Sequence, residues 1–325
     1  MRATTNRLIA IGAAAVALAV PLTGCGSDDQ ETVSAGSAQA ASEFPAPEGR
    51  TLDEMLADFD SSELVVLPAG QVFTLGSNRL GFGVFTVDRE EVPDVDVALY
   101  AAHESNGRAK GPFPARIESL ETEPAFRAKT TADDPDSAKV VYTSEVVLDR
   151  PGEWRLIAAV DQDGELVASR LPSVNVVRDD PVPAPGERAP RVRTPTVDDV
   201  GDIAEIDTRI PHSTLHEDDL AEVIGEKPVV LVFATPALCQ SRVCGPVVDA
   251  TEQVKRDHGD DAAFIYSEIY RDNDPNKGLR EPVRAFNLPT EPWLFVIDDK
   301  GRIDTRIEGA FSVAELEAAL ERVTN

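Results

Sequence analysis

The chain has 325 residues, 58 of them acidic and 31 basic, for a formal net charge of −27, with 42% hydrophobic residues and three cysteines. So acidic a chain is repelled by nucleic acid and by anionic lipid headgroups, and no basic patch interrupts it, which excludes a nucleic-acid role. Its length suits two domains, and its apolar content is enough for a core in each.

Residues 1–24 read as a signal peptide: Arg2 and Arg7 precede an uncharged apolar run from Leu8 to Val20, too short to span a bilayer. The run leads into Leu22-Thr23-Gly24-Cys25, which resembles the lipobox of bacterial lipoproteins. That resemblance implies lipidation of Cys25 after cleavage before it, and so an extracytoplasmic chain anchored to the cell membrane by its acyl groups. Several acyl chains supply the two signals that stable anchoring needs. A secreted chain without lipid is the alternative. Residues 25–60 begin small and polar, with Pro45 and Pro47 near the middle, and are predicted to be a lipidated disordered stalk. As a coil, some two dozen such residues span roughly 25–30 Å.

Residues 61–178 show short β-rich runs separated by turn residues: Leu64 to Leu67, Leu80 to Val87, Val95 to Ala101, Ala115 to Leu120, Val140 to Leu148, Trp154 to Ala159 and Leu171 to Val177. About seven strands at this spacing predict an antiparallel β-sandwich. The stretch from Leu148 through Pro151-Gly152 and Trp154 to Val160 resembles a late-strand turn of immunoglobulin-like bacterial surface domains. No cysteine lies here for an inter-sheet disulfide, and His103, in a polar loop, is expected at the surface. Residues 179–200 carry five prolines between Pro181 and Pro195 and no hydrophobic period, predicting a semi-rigid linker.

In residues 201–325, Pro228 to Phe233 is an apolar run suited to a buried central strand. The apolar spacing from Pro246 to His258 predicts a helix. Beyond it come a strand from Ala263 to Tyr266, a helix from Lys277 to Phe286, strands from Trp293 to Ile297 and Ile303 to Ile307, and a closing helix from Val313 to Val323. This order, β-α-β-α-β-β-α, predicts an α/β unit with a mixed sheet.

The strand, cysteine-bearing turn and helix resemble the thioredoxin-like superfamily from about Leu215 to Val323. The matching residues are Val232-Phe233-Ala234-Thr235, Cys244-Gly245-Pro246, Glu291-Pro292 and Glu308-Gly309-Ala310. The resemblance implies a cis peptide at Pro292 packed beside the cysteines. It makes Cys239 and Cys244 the candidate catalytic residues and Pro292, Glu291 and Arg242 the candidate substrate-binding residues. Thioredoxins place two residues between their cysteines, whereas Gln240, Ser241, Arg242 and Val243 intervene here. Cys239 has the family's distance from the strand end, and Cys244 has its Gly-Pro context. The family's buried acid falls near Val232, so that proton-transfer aid is expected to be missing.

Two residues five apart in a continuous helix have Cα atoms about 8–9 Å apart, and a disulfide needs less than about 7 Å. Cys239 can therefore bond to Cys244 only from the turn before the helix. A thiolate at the helix start gains from the dipole, and Arg242 adds positive charge. Three chemistries fit the pair: thiol–disulfide exchange with envelope proteins that carry thiols or disulfides, a structural bridge in a binding module, or copper handling as in Sco-type chaperones. Those chaperones add a later histidine, whereas His212, His216 and His258 all precede its place, and His212 and His216 are expected to be exposed. The sequence calls for no cofactor and no metal.

Overall fold

The computed structural model describes residues 36–104, 107–162 and 164–324. Cys25 and its lipobox lie outside the described residues. The first described segment folds against the body. Gly36 exchanges both backbone hydrogen bonds with Ile117, each at 3.1 Å. Helix α1 (Leu52–Leu56) is held by a capping box in which Thr51 and Glu54 satisfy each other's backbone N–H. Phe44, Leu52 and Met55 are buried in one apolar cluster with Tyr100 and Ile157. The disordered stalk predicted over residues 25–60 therefore does not extend over residues 36–60. Three large apolar side chains within a dozen residues give this stretch a face to bury.

Eleven strands follow: β1 (Asp60–Ser61), β2 (Leu64–Pro68), β3 (Phe73–Thr74), β4 (Gly76–Thr86), β5 (Asp96–His103), β6 (Lys110–Pro114), β7 (Arg116–Ser119), β8 (Val140–Leu148), β9 (Gly152–Gln162), β10 (Glu165–Arg170) and β11 (Val174–Val177), with helix α2 (Lys129–Ala132) between β7 and β8. One sheet is antiparallel in the order β2-β4-β8-β7. The other is built on β9, with β5 then β6 on one edge and β10 and β11 on the other. Alternate residues of the two sheets, among them Val66, Phe82, Tyr142, Leu99, Trp154 and Leu156, fill a shared core. Gly152 takes φ +111° after Pro151, a turn conformation open to glycine, and this aims Trp154 inward. His103 is not a surface loop residue: it ends β5, donates through Nε2 to the Pro151 carbonyl (2.9 Å) and meets the Trp154 ring edge-on at 5.4 Å.

The C-terminal part contains α3 (Leu220–Val223), β12 (Val229–Ala234), α4 (Cys244–His258), β13 (Ala263–Glu268), α5 (Glu281–Ala285), β14 (Trp293–Ile297), β15 (Ile303–Glu308) and α6 (Val313–Thr324). Its sheet has the order β13-β12-β14-β15, with β12 parallel to β13 and antiparallel to β14. Strands β12, β13 and β14 are buried along their whole length: the apolar run is unbroken in central β12 and β14, while edge strand β13 ends in buried Ser267 and Glu268. The helix expected from Lys277 shortens to Glu281–Ala285, because Gly278 turns at φ +78° and Pro282 takes a first-turn position, where its missing N–H costs nothing.

Residues 179–200, the predicted semi-rigid linker, lie against the α/β sheet. Val182, Ala189 and Val192 are buried against the sheet, and Gly186 and Glu187 add backbone hydrogen bonds to Ile303 at 2.7 and 2.9 Å. Edge strand β15 thus gains partners for groups that would otherwise face water.

The two parts are packed together. On β8 the residues facing the sandwich core, Val140 and Tyr142, alternate with Val141, which is buried instead in the α/β core beside Leu120. Burying a side chain of this size contributes roughly 1.5–3 kcal/mol. Charged contacts rim this joint: Glu315 at the start of α6 accepts from Arg79 of β4 and Arg116 of β7, each at 2.8 Å.

Candidate functional site

Strand β12 ends at Ala234, and the chain turns at once, Leu238 N–H donating to the Thr235 carbonyl at 3.0 Å. Cys239 lies in this turn. Arg242 takes a left-handed φ of +60° and Val243 is the N-cap of α4, so that Cys244 is its first residue. The two cysteines are disulfide-bonded with Cα atoms 6.0 Å apart. This is the turn-then-helix geometry to which the five-residue spacing restricts them. Cys244 is wholly buried, whereas Cys239 is 8% exposed, with its sulfur 3.3 Å from the Ser241 hydroxyl.

Phe233 of β12 pairs with Trp293 of β14. The Glu291–Pro292 peptide, which is cis, therefore sits at the same end of the sheet as the cysteine turn. Pro292 is buried and its carbonyl accepts from Gly309 N–H at 2.9 Å. Glu291 is half-buried, and burial raises its carboxyl above the ordinary glutamate range. Arg242 is in the turn, and its guanidinium pairs with Asp134 at 2.7 Å.

Val232, where a family acid would fall, is buried among apolar groups. A carboxylate does lie nearby, on the neighbouring strand: Glu268, 1% exposed, is the register partner of Ala234. It accepts from the Thr208 N–H (2.9 Å), the Thr208 hydroxyl (2.6 Å) and the Tyr266 hydroxyl, while its Oε2 has no partner. Burial raises its carboxyl and pushes the Tyr266 hydroxyl far up as well. The Thr208 oxygen also accepts from Ala237 N–H at 3.1 Å, which links this buried group to the cysteine turn. Sequence reasoning overlooked Glu268, although a lone acid two residues beyond the apolar run Ala263 to Tyr266 marks it.

The residues between β7 and β8, numbered 120–139, reach across the whole length of α4. Glu123 pairs with Arg256 (2.6 Å), whose guanidinium lies 4.8 Å from the centre of the Phe126 ring. Farther along, Ala128 N–H donates to Asp249 at 3.0 Å. At the helix start a Cβ added to Gly245 would lie 2.6 Å from the Thr131 hydroxyl, so glycine here admits the crossing chain. Asp134 then holds Arg242, and Ala138 packs on the cluster that contains both cysteines.

The histidines do not converge. His212 is exposed, His258 faces Asp261 at 3.3 Å, and His216 is buried, 3.3 Å from Asp207 and packed on the Tyr266 ring. The expectation of an exposed His216 fails because residues 207–216 fold over the end of β13. Among the described residues no group of three or more His, Cys, Asp or Glu side chains is arranged to hold a metal ion.

No protein-family model matches the chain, and no curated protein matches it. Among solved structures it is similar to a thiol:disulfide interchange protein of the thioredoxin family from Chlorobium tepidum TLS. The identity is 20%, over 44% of this chain and 98% of that one, with a TM-score of 0.30.

Proposed function

We propose that the chain is a membrane-tethered extracytoplasmic lipoprotein whose C-terminal thioredoxin-like domain exchanges disulfides with envelope proteins through Cys239 and Cys244. An immunoglobulin-like sandwich would carry that domain, and Cys25 would hold the lipid. One observation carries the reading: the bonded pair joins the turn after a central strand to the first residue of a fifteen-residue helix, at the sheet end where Pro292 precedes the neighbouring strand.

Chemically, a substrate thiolate attacks the less buried sulfur, Cys239 Sγ. The Cys239–Cys244 bond breaks, and its electron pair leaves on Cys244 Sγ at the helix N-terminus, where the dipole favours a thiolate. A second substrate thiolate attacks the mixed disulfide at the substrate sulfur, forming the substrate disulfide and releasing Cys239 as thiolate. Two protons complete the reduced pair. Run backwards, the same steps reduce a substrate.

Trapping tests this directly. Cys244→Ala should accumulate mixed disulfides on Cys239 in the envelope, and failure of both Cys244→Ala and Cys239→Ala to trap any partner would overturn the proposal. Cys25→Ala should release the protein from membranes. A second reading, a permanent bridge in a binding module, is favoured by the burial of Cys244 and by the segment closed over the turn. A reduction potential below about −300 mV would support it.

A further inference from the structure

The segment of residues 120–139 is fastened unequally along its length. At its root, Phe126 and Ala128 are tied to a buried ion pair: Arg209 donates to the Phe126 carbonyl at 2.6 Å, and Asp249, which binds Arg209, accepts from Ala128 N–H. At its tip, over the cysteine turn, the contacts are weaker. Asp134 meets Arg242 in an ion pair whose arginine is 51% exposed, Ala138 N–H reaches the Arg242 carbonyl at 3.4 Å, and Thr131 rests on Gly245. An ion pair so open to solvent holds only modestly and is screened by salt.

We propose that the tip, residues 130–138, is a latch closed over the Cys239–Cys244 disulfide, with Asp134 and Arg242 as its catch, and that thiols reach Cys239 when the catch opens. The latch is fixed at both ends, by the root at Phe126 and Ala128 and by Lys139, whose carbonyl accepts from Leu120 N–H at 2.8 Å and whose N–H donates to Glu91 at 2.9 Å, and it lifts between them. The proposal deepens the exchange reading above and rests on it for its biological meaning. The latch itself, however, governs the access of any thiol. The partner class it implies is a protein thiol presented beside an acidic group, which competes with Asp134 for Arg242.

The experiment follows reduction of the Cys239–Cys244 disulfide in the full chain by dithiothreitol. Two reagent thiols become a cyclic disulfide, and the protein pair takes up the two electrons and two protons. Free thiols are counted by maleimide labelling and mass spectrometry. Asp134→Asn should be reduced about two- to fivefold faster than the parent at low salt, the range that an exposed ion pair commands. Arg242→Gln should accelerate the reaction equally, and the double variant no further, because both remove one contact. Salt should speed the parent and leave the variants unchanged. Lys129→Ala, whose ammonium pairs with Asp133 rather than with the cysteine turn, should behave as the parent.

Equal rates for the parent, Asp134→Asn and Arg242→Gln, with no salt effect, overturn the latch. A reduced, unfolded protein thiol, assayed separately for mixed disulfides, tests the exchange reading. Faster reduction of Asp134→Asn by dithiothreitol with no mixed disulfide in any variant leaves the latch standing and sinks exchange. Mixed disulfides formed equally by all variants, with equal dithiothreitol rates, do the reverse.

Discussion

Arg209 and Asp249 form a 2.8 Å ion pair in which the two side chains are 6% and 1% exposed, so water is nearly excluded from it. Burial pushes the Asp249 carboxyl up, against the pull of the Arg209 guanidinium. Every stretch of chain that meets at this pair depends on it. Arg209 comes from the segment before α3 and donates also to the Pro211 carbonyl at 2.7 Å, Asp249 belongs to α4, and Phe126 and Ala128 come from the segment linking β7 to β8.

Asp249→Ala should therefore lower stability by about 3–5 kcal/mol, because it strands a buried guanidinium rather than removing a pair whole. The measurement is the urea midpoint at pH 7, with the slope unchanged. A loss below about 1 kcal/mol would mean that water reaches Arg209 in the variant, and that the pair is not the anchor described.

Glu315 offers a second test of the joint between the two parts. It binds Arg79 through both carboxylate oxygens and Arg116 through one, and the Arg79 and Glu315 side chains are 16% and 10% exposed. A double-mutant cycle on Arg79→Ala and Glu315→Ala should give a coupling of about 1–3 kcal/mol, the upper range for contacting residues in one network. Additive effects would show that the Arg79–Glu315 contact contributes nothing to holding the two parts together.

Much of the C-terminal fold could be read from the sequence because its elements are locally determined. The apolar run Val229 to Phe233, short and β-branched, suits a buried strand, and the spacing of Val247, Val248, Ala250 and Val254 marks one helical face. The cysteine spacing likewise placed Cys239 in the turn. Strands β1, β3, β6 and β10 escaped notice: β1 and β3 are two residues long, and in β6 Lys110-Gly111-Pro112-Phe113-Pro114 carries two prolines, tolerated because the strand pairs only with β5. The contacts that decide access to the cysteines were hidden for another reason. Residues 121–139 lie between two expected strands and show no hydrophobic period, and their partners at and beside α4 lie more than a hundred positions away. Val182, Ala189 and Val192 were hidden likewise among prolines, since isolated apolar residues show no period although each is buried.

The disulfide should contribute little to stability. In the loop-closure account a bridge closing about six residues stabilises by roughly 2 kcal/mol, a minor share beside the packing around Cys244. Reduction of the folded chain should thus lower the unfolding free energy by about that amount and leave the secondary structure intact by circular dichroism. A much larger loss would make the bridge a principal staple of the fold and would count against exchange.

Glu268 makes the stability depend on pH, with a sign fixed by its environment. Burial raises its carboxyl in the folded chain, while in the unfolded chain it titrates near the ordinary value of 4.5. Between those two points the folded state holds a proton that the unfolded state has lost, so ΔG of unfolding falls as pH rises through the window. The favourable contribution is complete below the unfolded value and is gone above the folded one. In Glu268→Gln the amide stays neutral at every pH. Its oxygen can still accept from Thr208 and Tyr266, and its nitrogen replaces the Oε2 that lacks a partner. The variant should therefore be more stable than the parent at pH 7 and about equal to it near pH 4. Urea titrations across that range decide the matter. Parallel stability curves for the two proteins would show that Glu268 is not the group whose proton is bound on folding.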